Sequence, residues 1–367
     1  MNDPANGMAD GRHEPIGALR SFEDMAEFER SDASLVCRFA RPVHALSTSR
    51  RHGGANDRVR AAINYQICRT GECPTCRVCL EDLNAHLDAH AAALGCEPEH
   101  ALTMLTSADM NNAGWCEAAH EDVRVLAVVT GGVCVNAVRA GDAATHYETA
   151  EGWKPVAASP NPGTINLMLL INRRLTPDAL VKACIMATEA KAATLQALSV
   201  RSMYGRGIAT GTGTDQCVIA CPQDSPFVLS EAQGHVKLGE MIAYAVSEAL
   251  RATLARETGL TPATRRSVRA MLMRFGGDVD AGERDGAPEA VAAAMALAAL
   301  FDQTDWGVLP PDELSRIAAP QVALLAAALS DKPCASAQAE TALRAADLPR
   351  APQLFEKIVA CALALAR

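Results

Sequence analysis

Hydrophobic positions along the chain fall into two regimes. Between about residues 35 and 259, apolar runs of strand length alternate with longer helical patterns, whereas after Thr261 they recur at helical spacing alone. Leu35-Val36-Cys37-Arg38-Phe39 and Val43-His44-Ala45-Leu46-Ser47 predict a short hairpin or two edge strands. A polar loop, 48–56, then leads into a predicted helix from about Asp57 to Tyr65. Pro98 starts another through Leu105. Val123 to Val129 is a β-branched run ending in Thr130-Gly131-Gly132, and such a run reads as a strand covered on both faces; Ile165 to Asn172 reads the same way. Thr176-Pro177-Asp178 supplies a cap, a first-position proline and a first-turn acid to a helix that is apolar almost all round. Cys217-Val218-Ile219-Ala220 is short enough for a buried strand closed by Pro222. Gly234-His235 then opens a helix with Val236, Met241, Ile242, Ala245, Val246 and Ala249 at helical spacing.

This alternation predicts an α/β or α+β fold: a mixed sheet with flanking helices, followed by an all-helical C-terminal domain. The expected segments are a flexible tail over 1–34, an α/β domain over 35–260 with a cysteine-rich insertion at 68–96, and a helical domain over 261–367. Pro262, Pro288, Pro311, Pro320 and Pro352 punctuate the last of these. It either covers the first domain or offers a homodimer surface.

Composition narrows the partners. A net charge of −9 with no basic face argues against nucleic acid. Without a run of 18 apolar residues or the apolar core of a signal peptide, a cytoplasmic protein with no membrane partner is expected. Thirteen cysteines, an odd number, suit reduced thiols or metal ligands better than a disulfide framework. Four of them, Cys68, Cys73, Cys76 and Cys79, carry C-x4-C-x2-C and C-x2-C-x2-C spacings compatible with an iron-sulfur cluster. Zinc fits equally, with all four thiolates or with His86 and His90 from the following helix.

Candidate chemistry concentrates in Arg201 to Glu240. Gly205, Gly207, Gly211 and Gly213 let the backbone approach a ligand, Thr210, Thr212 and Thr214 supply hydroxyls, and Asp215 opens the buried strand. A helix start disfavours an imidazolium, which makes His235 a candidate proton acceptor. The glycines read G-x-G-x-x-x-G, not the dinucleotide fingerprint, and no G-x-x-x-x-G-K-[ST] occurs, so no nucleotide cofactor is expected. Asn136, Arg139 and Asp142 follow a strand, where ligands of open α/β sheets bind. From Ala183 to Val200 the only formal charges are Glu189 and Lys191, and burying either calls for a partner inside the fold.

With these residues laid out, LSTSRRHGGAN (46–56), AVVTGGVCVNAVRAGD (127–142), GTINLMLLINRRLTPDALVKACIMATEAKAATLQAL (163–198), ATGTGTDQCVIA (209–220) and GHVKLGEMI (234–242) resemble, in order, the adenosylcobinamide amidohydrolase family of corrinoid salvage. The cysteine cluster and the region after Thr261 lie outside the resemblance. It implies a hydrolase that cuts the amide joining the aminopropanol arm to the corrin ring, releasing adenosylcobyric acid. Amide hydrolysis requires an activated nucleophile, oxyanion stabilisation and a proton for the departing amine. The expected roles are His235 as base, Asp215 orienting it, Lys237 and the 211–214 amides on the oxyanion, and Glu189 facing the site or an internal ion pair. Thr214 or Thr210 is the competing nucleophile. The substrate-binding set is Asn136, Arg139, Asp142, Gly211, Thr212, Gly213, Asn166, His52 and Gly53. The alternative is a corrinoid-binding or redox- or metal-sensing protein without amidase activity.

Overall fold

The computed structural model describes residues 17–67, 82–157, 163–276, 279–330, 332–346 and 353–367. The chain is mixed α/β and divides into two units. One comprises Met1–Asn136, Ala158–Thr194 and Gly211–Gly259; the other comprises Ala137–Ala157, Leu195–Thr210 and Leu260–Arg367.

The first unit is built on a curled, nine-stranded mixed sheet. In chain order its strands are β1 (Gly17–Phe22), β2 (Ala26–Arg30), β3 (Ser34–Ser47), β4 (Gly54–Gln66), β5 (Ala101–Thr106), β6 (Gly114–His120), β7 (Val123–Gly131), β8 (Ile165–Ile171) and β9 (Gln216–Pro222). The path runs β1-β2-β3-β9-β8-β7-β6, with β4 pairing both β3 and β5. Two neighbours are parallel, β8 with β9 and β4 with β5. Long β3 makes the curl: β2 pairs with its first half and β9 with its second, while β4 follows its other edge and the register shifts between Arg38 and Ala45. Phe22, Phe28, Leu35, Leu102, Met104, Met168 and Leu170 fill the core inside the curl. Helix α1 (Leu83–Ala93) packs Ala91 on Val36, Ala61 and Ile63. On the far face of the sheet lie α2 (Pro177–Ala197), the crossover between β8 and β9, and α3 (Lys237–Thr258).

Several local expectations change. The tail expected over 1–34 contains β1 and β2: Ala26, Phe28 and Arg30 alternate inward, too short a period-2 run amid charges to stand out. Asp57–Tyr65 is strand, not helix. Its arginines and alanines suit a helix, but partners on both edges override that preference. After Pro98 a single 3-10 turn, Pro98–His100, gives way to β5, which pairs in parallel with β4. The two runs read as a hairpin join into one strand through the irregular stretch that holds Pro42.

The second unit holds α4 (Val268–Leu272), α5 (Pro288–Asp305), α6 (Leu314–Ser330), α7 (Ser336–Ala345) and α8 (Gln353–Ala366). Phe275, Phe301 and Phe355 meet at its centre, with ring centroids 4.8–5.6 Å apart. It also takes in 137–157, which carries a hairpin of His146–Thr149 with Gly152–Pro155. Within 261–367 every described element is a helix or a 3-10 turn, as expected; the hairpin comes from the earlier segment.

Candidate active site

β7 runs antiparallel to β8, and β8 parallel to β9, so the carboxyl end of β7 and the amino ends of β8 and β9 lie along one edge of the sheet. At that end the turn after Thr212 delivers Asp215 just ahead of β9. Oδ1 accepts from Ile165 N at 3.1 Å and from the Thr212 hydroxyl, and Thr212 N reaches both carboxylate oxygens at 3.1 Å. Oδ2 is paired with Lys191 Nζ of α2. The two side chains are only 16% and 18% exposed, so removing one partner costs roughly 3–5 kcal/mol.

Side chains alternate along the strands. Even positions such as Val128, Met168 and Val218 enter the core, while Val129, Ile165, Leu167 and Cys217 face the helices. Between those residues, α2 and α3 lies a cavity of about 120 Å³. α2 contributes Cys184, Ala187, Thr188 and Lys191, one stripe at i, i+3, i+4 and i+7; α3 contributes Val246 and Leu250; Thr48, Asp215 and Gln216 complete the rim.

Within it Cys184 Sγ and Cys217 Sγ lie 3.9 Å apart. The Cys184 thiol is brought down to about 7 by its hydrogen bond with Cys217 and by the Lys191 charge, against the opposing effect of burial. Cys217 moves the other way, pushed up by that same bond and by burial. The two shifts oppose each other across one shared contact, so Cys184 is the more readily ionised of the two thiols. The Cys217 amide donates to Thr48 Oγ1 at 2.9 Å, which fixes the strand against the end of β3.

The structure gathers some of the expected residues and separates others. Asn136 stands beside the 211–215 turn, donating through Nδ2 to Gly163 O at 2.7 Å and accepting from Gly213 N at 3.3 Å. The Thr214 hydroxyl donates to the same Gly163 oxygen at 2.9 Å. Asn166 points to the opposite face, donating to Asn64 Oδ1 at 2.8 Å and Leu105 O at 2.9 Å. His52 adopts a positive φ of 57°, and its buried Nε2 makes no hydrogen bond among the described residues; Gly53 sits in the same tight turn, where a Cβ would stand 2.0 Å from Ser49 O. Arg139 and Asp142 belong to the second unit, where Asp142 Oδ2 accepts from Arg139 N at 2.8 Å and Ser202 Oγ at 2.5 Å. Thr210, in the same unit, accepts from Ala140 N at 2.9 Å.

His235 is exposed two residues before α3 begins, and no hydrogen bond joins it to Asp215 among the described residues. Lys237 is exposed and pairs with Glu240 at 2.6 Å. Lys191 has the internal partner its burial demands, but Glu189 does not need one: it lies on the solvent side of α2. Cys68, Cys73, Cys76 and Cys79 fall outside the described residues. His86 and His90 stack on Tyr65, with His90 Nε2 at 2.8 Å from Ser34 Oγ, and burial pushes the His90 imidazole down.

Lys191, Cys184, Thr188 and Cys217 escaped the candidate set. Their signal was the polar stripe C-x3-T-x2-K on a helix otherwise apolar, and an odd-numbered cysteine one strand position after Asp215's neighbour.

A family model described as adenosylcobinamide amidohydrolase matches residues 18–262. An uncharacterized protein of Methanocaldococcus jannaschii is 33% identical over 171 residues, 45% of this chain and 66% of that relative. Among solved structures, a protein from Pyrococcus horikoshii OT3 superposes with a TM-score of 0.31 at 11% identity, covering 65% of this chain and 82% of its own. A Burkholderia sp. beta-aminopeptidase gives 0.30 at 12%, covering 65% and 83%. Both superpositions are too loose to bear on fold or chemistry.

Proposed function

Because this chain belongs to the adenosylcobinamide amidohydrolase family, we propose that it hydrolyses the amide between the aminopropanol arm and the corrin ring of adenosylcobinamide. The observation that carries the reading is the Lys191–Asp215 ion pair on the wall of a small, largely apolar cavity. A cavity of about 120 Å³ is well below the roughly 300–1,000 Å³ that encloses a drug-sized ligand. It suits the entry of one arm, with the macrocycle lying outside.

Asp215 keeps the orienting role expected of it, but on Lys191 rather than on His235. Fixed by Ile165 N and Thr212, it takes no reorganisation to hold the Lys191 ammonium at the cavity wall. There the cation stabilises the oxyanion that forms when the amide carbonyl is attacked, in surroundings where charge interactions are stronger than in water. The ammonium is also a proton source for the departing amine. Asn136 and Thr214, both bonded to Gly163 O, keep the 211–215 turn in place. Gly213 and Thr214, exposed on that turn, meet the acetamide and propionamide arms that flank the scissile one.

Incubating the purified protein with adenosylcobinamide and weighing the products tests the reading. Adenosylcobyric acid and free aminopropanol are expected. Bound corrinoid of unchanged mass would instead support a binding or sensing role.

A further inference from the structure

We propose that Cys184 is the nucleophile of this cavity, attacking the amide carbonyl and carrying the acyl group as a thioester. The inference rests on the amidase reading and adds the attacking group that reading leaves open.

The argument is geometric first. Among the cavity-lining side chains, Cys184 offers sulfur, the most nucleophilic atom type present, and it stands 3.9 Å from a second thiol and on the same helical stripe as a held cation. Helical side chains lean toward the amino terminus, so Lys191 extends back along α2 toward the turn that carries Cys184. The thiols at Cys37, Cys116, Cys221 and Cys361 are all pushed up by burial, whereas Cys184 comes down to about 7. The titratable groups facing it are Cys217 and Asp215 from the β9 end and Lys191 from its own helix; α3 and the sheet wall contribute Val246, Leu250, Val129, Ile165 and Leu167. A sulfur, a cation and an acid that holds the cation are the components an unactivated amide requires.

In the first step a Cys184 sulfur lone pair forms a C–S bond and the carbonyl π electrons move to oxygen, beside the Lys191 ammonium. The C–N bond then breaks as nitrogen takes a proton from Lys191, and aminopropanol leaves. Water attacks the thioester, gives a proton to the neutral Lys191, and the C–S bond breaks to restore the thiolate. The acid formed loses its proton to the released amine in solution. One water is consumed, and nothing is oxidised or reduced.

Two measurements on the full chain test this. Alkylation by iodoacetamide, mapped by peptide mass, should rise at Cys184 through a midpoint near pH 7, because the reactive thiolate is present above that value. In Lys191→Met the midpoint should move up toward the ordinary thiol value. Turnover of adenosylcobinamide should fall by at least about 10³-fold in Cys184→Ala and in the near-isosteric Cys184→Ser, with corrinoid binding and melting temperature retained. Acid-quenched wild type should carry the cobyric acyl mass on the Cys184 peptide. Wild type that cuts the substrate while Cys184→Ala keeps pace overturns this inference alone. Wild type that leaves the substrate intact overturns the amidase reading and the inference with it.

Discussion

A methyl group at Gly211 would stand 2.4 Å from Asp215 Oδ2 and 3.1 Å from Lys191 Nζ, so the ion pair in this geometry leaves no room for a side chain here. Gly211→Ala should push Lys191 and Asp215 apart and cost about 10²-fold in turnover, comparable to losing one oxyanion donor, as steady-state kinetics would detect. Unchanged kinetics would mean that the pair does not serve the reaction. At this scale Asp215 was legible, since an acid opening a buried strand after glycines and threonines is unusual. So was the need of Lys191 for an internal partner. Its identity was not, because α2 and β9 meet only through the fold. Cys184 was hidden for another reason: thirteen cysteines draw attention to the dense cluster at 68–79, and a thiol on an apolar helix looks like packing.

At the scale of elements, the layer behind the cavity depends on α3 lying tight against the sheet. A Cβ at Gly114 of β6 would come within 1.9 Å of Ala249 O on α3. That oxygen, like the next nearest atoms, belongs to the helix backbone and not to a flexible side chain, so Gly114→Ala should force the helix outward. A loss of roughly 1–3 kcal/mol, the usual range for overpacking, is expected from chemical denaturation. The strands flanking the cavity, β7, β8 and β9, were readable as uninterrupted β-branched or apolar runs, because each is covered on both faces. β4 was not: Asp57-Arg58-Val59-Arg60-Ala61 has helix-favouring composition, and only the partners β3 and β5 make it a strand. The distinction matters for function, since β4 and β5 close the curl opposite the cavity and Asn64 anchors Asn166 there.

At the scale of the whole molecule, two units with separate cores share one chain, and the matched family region, 18–262, ends just after α3. No helix among the described residues is long and apolar enough to cross a membrane. The helical unit has its own internal ion pair: Arg274 Nη1 donates to Asp302 Oδ1 at 2.6 Å, and the guanidinium lies 4.1 Å from the Phe275 ring centroid, with the Arg274 side chain only 7% exposed. Arg274→Met leaves Asp302 unpaired and should destabilise this unit by roughly 3–5 kcal/mol, read from the helical transition in far-ultraviolet circular dichroism.

Turnover of adenosylcobinamide by Lys191→Met, followed by mass spectrometry beside wild type and His235→Ala, bears most directly on where the chemistry resides. A drop of about 10²–10³-fold in Lys191→Met with His235→Ala still active is the predicted result. Full activity in Lys191→Met, with activity lost in His235→Ala, would contradict it.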